Sequence, residues 1–140
     1  YALIALLHNE LARAEVEELL HAPEPSRIGA VNLAETVNVL RTVATFEPST
    51  VSQGIRLLEL GGLLIEPADA QLAKQAGELR ATHYRRKDRA ILLADCFALA
   101  LAMKLGESLA TADSALLRVA TTVGAHVIAL PDSSGRRPQA

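Results

Sequence analysis

The chain has no tryptophan and one cysteine, and its 140 residues include two tyrosines and two phenylalanines. So few rings argue against a platform on which nucleic-acid bases stack. The lone thiol, Cys96, excludes an internal disulfide framework and fits a reducing, cytoplasmic compartment. Basic residues are not in excess: 14 Lys and Arg stand against 16 Asp and Glu, a formal net charge of −2. No global field therefore attracts a polyanion, which would need a local basic patch or bound cations. No apolar run is long enough to span a bilayer, because the longest is interrupted by Asp95 and ends at Lys104. A basic leader followed by an apolar segment is also missing, as expected of a protein without a signal peptide. The sequence opens on Tyr1 and not on methionine, so it reads as a processed or truncated form.

What is present is small and aliphatic. Half the residues are hydrophobic, many of them Ala, Leu and Val, and 140 residues suit one compact domain. Helical periodicity is expected over 2–7 and 10–21, then 32–46, 50–60, 68–84, 90–105 and 113–123. The helix over 50–60 is expected to be capped by Ser49 or Thr50 and closed by Gly61, and Gly106 and Gly124 are expected to end two later helices. Short apolar runs at 27–31, 63–67, 108–111 and 126–130 read as strands between them. This alternation favours an α/β fold with a short parallel sheet flanked by helices in three layers. The domain is expected over 1–131, with 132–140 a polar, disordered tail.

In open parallel sheets the reactive site lies beyond the carboxyl ends of the strands. Asn32 and Glu35 follow the strand at 27–31, and Thr111 and Asp113 close or follow the strand at 108–111. Each has a structural alternative. Asn32 and Glu35 have the spacing of a capping box, and Asp113 stands where a helix N-cap belongs. Asp95 is the harder residue. At helical spacing it neighbours Ile91, Leu92, Ala98 and Leu99, and it lies too deep in "ILLADCFALALAM" to be a cap. A carboxylate in such surroundings must be neutralised, paired, hydrogen-bonded or bound to a metal; Arg89 is one candidate partner. If Glu35, Asp95 and Asp113 converge, their repulsion is relieved by a hard divalent cation, Mg²⁺ or Mn²⁺, which prefers oxygen ligands. Thr111 would orient a ligand there. The densest basic cluster, Arg85, Arg86, Lys87 and Arg89, is either a phosphate contact or a solvated link. His8, His21, His83 and His126 show no metal-ligand spacing, and no Gly-rich phosphate loop or nucleophile elbow occurs.

The segments "AVNLAETVNVL", "LLADCFALALAMKLGESLATADSALLRVA" and "VIALP", with "YALIALLHNE" at the start, resemble the PIN-domain family, and within it the VapC toxins of VapBC toxin–antitoxin pairs. The resemblance runs to about Pro131. It implies a metal-dependent endoribonuclease, with Glu35, Asp95 and Asp113 as its catalytic and metal-binding acids and Thr111 in support. It also implies a structured RNA substrate such as tRNA, a cognate antitoxin that neutralises the enzyme, and a homodimer. The apolar first helices, through Leu3, Leu7 and Leu11, are candidates for such an interface, or else for ordinary core. The chain departs from the family at its start. The family begins with an apolar strand ending in Asp, and Tyr1 falls just after the place of that strand. Two other readings stand beside the nuclease: a non-catalytic PIN-like module that binds RNA or protein, and a phosphoacceptor receiver domain. The second is disfavoured because the last strand ends in "ALPD" without the lysine such a domain needs.

Overall fold

The computed structural model describes residues 1–84 and 90–139. Seven helices and four short strands alternate among them: α1 (Ala2–Leu7), α2 (Arg13–Leu20), β1 (Arg27–Gly29), α3 (Ala30–Thr42), α4 (Pro48–Leu60), β2 (Leu64–Glu66), α5 (Ala70–His83), α6 (Leu93–Leu105), β3 (Leu109–Thr111), α7 (Ser114–Thr122) and β4 (Val127–Ala129). The expected class is found, an α/β fold rich in helix with short parallel strands.

Local chemistry explains most boundaries. Pro48 occupies the first turn of α4, where a missing N–H costs nothing. Glu47 is therefore the N-cap, and the expected capping by Ser49 or Thr50 is corrected. Asp69 caps α5 by accepting the Leu72 N–H at 2.7 Å. Gly106 ends α6 with φ at +68°, a left-handed conformation that glycine enters without steric cost.

The strands are arranged as two parallel pairs. β1 pairs with β2, Ile28 opposite Ile65, and β3 pairs with β4, Ala110 opposite Ile128. No ladder joins the two pairs among the described residues, so the single sheet expected from the alternation is divided. Between them runs a hollow of about 540 Å³, bordered by Ile28 and Gly29 on one side and Leu109 and Ala110 on the other. At one end Arg27 spans it, hydrogen-bonding Glu66 of its own pair and Glu107 just ahead of β3.

Helix α6 holds the parts together. Cys96, Leu99 and Ala100 are fully buried and pack with Leu72 and Ala76 of α5 and Leu116 and Val119 of α7. The same helix also contacts α3, β1 and β3. A second core gathers Leu3, Ala5 and Leu6 of α1 with Val16, Leu63 and Leu130, and with Ile28 and Ala110 at its edge. Leu3 is thus core. Leu11 is exposed, with its side chain close to Gly135 of the C-terminal segment.

Candidate active site

The acids expected from sequence sit at the carboxyl ends of β1 and β3 and in the first turn of α6. Helix α6 starts at Leu93, so Asp95 lies in its first turn and accepts the Leu92 N–H at 2.7 Å. The expectation that it is too deep for a capping role is corrected. The apolar run misleads because Leu92 and Leu93 are exposed and precede the buried part of the helix. Asp95 itself is half-buried. Burial pushes its carboxyl above the usual range, the Leu92 N–H opposes this, and the charges of Asp113 and Glu35 push it further up. Asp95 therefore stands within electrostatic reach of both other acids.

Asp113 is the N-cap of α7, accepting the Leu116 N–H at 2.6 Å. Its own backbone N–H donates to the buried Thr111 hydroxyl at 3.0 Å. Thr111 thus fixes the bend that carries Asp113 off the end of β3. Glu35 is half-buried on α3 and lines the hollow between the strand pairs.

The expected capping box of Asn32 and Glu35 does not form, because α3 begins at Ala30 with Gly29 as its N-cap. Instead the Asn32 amide donates to the Ala94 carbonyl at 2.8 Å, tying α3 to the turn that carries Asp95. Its Oδ1 is buried without a partner. A side chain at Gly29 would meet that oxygen at 3.2 Å, which accounts for glycine there. Asn32 is a positioning residue that sequence spacing had assigned to a different task.

Glu10 was not singled out from sequence either. Its Oε2 is buried and unpartnered, although His8 approaches the other carboxylate oxygen at 3.5 Å. Burial and Glu10 together push the Tyr1 phenol up to about 12. That hydroxyl donates to the Pro131 carbonyl at 2.8 Å. In the structure Glu10 follows the end of α1, where Asn9 takes φ +58°. Cys96, next to Asp95, is buried, and burial pushes its thiol up to about 11, which makes it an inert core residue.

The donor set is oxygen-only, the chemistry of Mg²⁺ and Mn²⁺. Among the described residues no three His, Cys, Asp or Glu side chains are close enough together to hold one ion as they are placed. Asp95 and Asp113 each have one carboxylate oxygen committed to a helix N–H, which leaves each a second oxygen. The residues thus fit such an ion in kind and in neighbourhood, with a closer approach still required. Arg85, Arg86, Lys87 and Arg89 lie outside the described residues. Among the described residues no helix is long and apolar enough to cross a membrane.

Comparison with known proteins agrees with this architecture. A family model described as PIN domain matches residues 2–121. Among solved structures the chain resembles VapC20 of Mycobacterium tuberculosis, a toxin that cleaves the sarcin–ricin loop. The TM-score is 0.60 and the identity 18%, over 76% of this chain and 79% of that one. None of the curated proteins matches the chain.

Proposed function

We propose, from the premise that this chain belongs to the PIN-domain family, that it is a metal-dependent endoribonuclease of the VapC toxin type. What supports the reading is the PIN-domain match over residues 2–121, together with the half-buried Asp95, whose carboxyl is raised by burial and further by the charges of Asp113 and Glu35. A buried carboxyl with a raised pKa near strand ends is a recurring mark of an active site.

Asp95, Asp113 and Glu35 would hold Mg²⁺ or Mn²⁺. When bound, such an ion neutralises the carboxylates and supplies Lewis acidity for phosphodiester hydrolysis. The chain's own groups do the rest. A carboxylate of the cluster takes the proton of the attacking water. Thr111 holds Asp113 in place through its backbone, and Asn32 holds the first turn of α6, and with it Asp95. The substrate is a structured RNA, tRNA or another folded RNA. The protein works in the cytoplasm as a homodimer, and a cognate antitoxin covers the acids. The basic run Arg85, Arg86, Lys87 and Arg89 is proposed to hold RNA phosphates.

The test is cleavage of a structured RNA by the purified protein with Mg²⁺ or Mn²⁺. Wild type is expected to cut, and Asp95→Asn and Asp113→Asn to lose activity. Variants that cut as well as wild type overturn the assignment. A second reading, a non-catalytic PIN-like module binding RNA or protein, is favoured by one fact: both aspartates already serve as helix-terminal hydrogen-bond acceptors. Thermal melting against Mn²⁺ separates the two. The nuclease shows a rise in Tm with Mn²⁺ that Asp95→Asn abolishes, and the binding module shows none.

A further inference from the structure

The C-terminal segment, expected to be a disordered tail, folds back along the rim that carries the acids. Leu130 N–H donates to the Thr111 carbonyl at 2.9 Å, so the chain leaves β4 at the same end from which Asp113 leaves β3. The Pro131 carbonyl then receives the hydroxyl of Tyr1, the residue that precedes α1, at 2.8 Å. Asp132 organises a tight turn. Its Oδ1 accepts the N–H groups of Ser134 and Arg136 at 2.8 and 3.0 Å, and its own N–H donates to the Arg136 carbonyl. Beyond the turn, Arg137 is pinned to Glu15 of α2 at 2.7 Å and to the Ala129 carbonyl, and Pro138 is buried.

This bracing leaves Arg136 directed outward. Its side chain is 82% exposed, and among the described residues it meets the Ser134 hydroxyl and, at 3.4 Å, the carboxylate of Asp132. An exposed ion pair of that length is worth little and yields readily to a better anion. A phosphate, which accepts two parallel N–H bonds from a guanidinium, is such an anion. Arg136 lines a hollow of about 630 Å³ together with Ala112 and Ser114, the two residues that flank Asp113.

We propose that residues 131–139 form a docked arm whose Arg136 grips a backbone phosphate of the RNA next to the acidic rim. Arg137 acts as the anchor that keeps the arm in place. This inference rests on the nuclease reading and adds to it a residue that positions substrate. The need is physical: a rim of carboxylates repels RNA, and a neighbouring fixed cation offsets that repulsion and sets where the strand lies.

The experiment measures binding of a fluorescein-labelled RNA hairpin by anisotropy in calcium-containing buffer across a salt series. It compares the whole chain with Arg136→Gln and Arg136→Lys. Arg136→Gln is expected to weaken binding about five- to tenfold and to flatten the plot of log affinity against log salt by about one phosphate's worth of slope. Arg136→Lys restores the slope and part of the affinity. In cleavage assays Arg136→Gln raises KM with kcat within about twofold, as expected when ground-state and transition-state binding are lost alike. Unchanged affinity and slope in Arg136→Gln, or no binding by wild type, overturns the arm. If the arginine variant loses RNA binding while no metal-dependent cleavage exists, the nuclease reading falls and the binding arm stands. If Asp95→Asn abolishes cleavage while Arg136→Gln binds as wild type does, the arm alone falls.

Discussion

Asp113 has two tasks that two substitutions pull apart. As N-cap of α7 it accepts the Leu116 N–H; in the proposed nuclease it is one of the acids that would hold the cation, and its charge helps raise the Asp95 carboxyl. Asparagine caps a helix about as well as aspartate, whereas alanine cannot cap, and replacing a capping residue by alanine costs roughly 0.5–2 kcal/mol. At roughly 2 cal/mol/K of unfolding entropy per residue, 140 residues correspond to about 0.3 kcal/mol per kelvin. Asp113→Ala is thus expected to lower Tm by about 3–4 °C, for a loss of about 1 kcal/mol. Asp113→Asn forfeits the attraction of a charge to the helix N-terminus, about 0.3–1 kcal/mol, and regains part of it by relieving repulsion of Asp95. It is expected to melt within about 2 °C of wild type. If the carboxylate is needed for chemistry, both variants lose at least about a hundredfold in RNA cleavage, the equivalent of a few kcal/mol of transition-state stabilisation. The assays are thermal melting by circular dichroism and single-turnover cleavage. The reasoning fails if Asp113→Asn melts as low as Asp113→Ala, or if it cleaves at the wild-type rate.

Two further outcomes follow from the geometry. Because the Asp95 carboxyl is raised above its ordinary value of 3.8, the folded state holds its proton more tightly than the unfolded state. Stability is therefore lost as pH climbs from about 3.8 through the raised value. In metal-free urea titrations Asp95→Asn should gain on wild type across that window and match it at lower pH; a gap independent of pH refutes the assignment. Gly106→Ala should lower Tm by about 3 °C, from a penalty of about 1 kcal/mol for a side chain in the left-handed cap of α6, and an unchanged Tm would refute it.

The sequence made the helices legible where local chemistry rules. Gly106 and Gly124 mark helix ends because left-handed backbone favours glycine, and both adopt positive φ. Asp113 declared itself as a cap by preceding "SALLRVA". The start of α6 was misread because hydrophobicity does not say which leucines are buried: Leu92 is 56% and Leu93 49% exposed. Asn32 was misread because its partner, the Ala94 carbonyl, is 62 residues away. Long-range pairing also decides that β1 joins β2 and β3 joins β4, and no periodicity encodes it. The folded-back arm depends on Glu15 meeting Arg137, a contact between the two ends of the chain.

Among the described residues no ladder bridges the two strand pairs, and Glu35 and Asp113 follow strands of different pairs. Asp95 belongs to neither pair; it stands on the keel that both pack against. The helix that carries Asp95 is thus also the one against which α3, with Glu35, and α7, capped by Asp113, are packed.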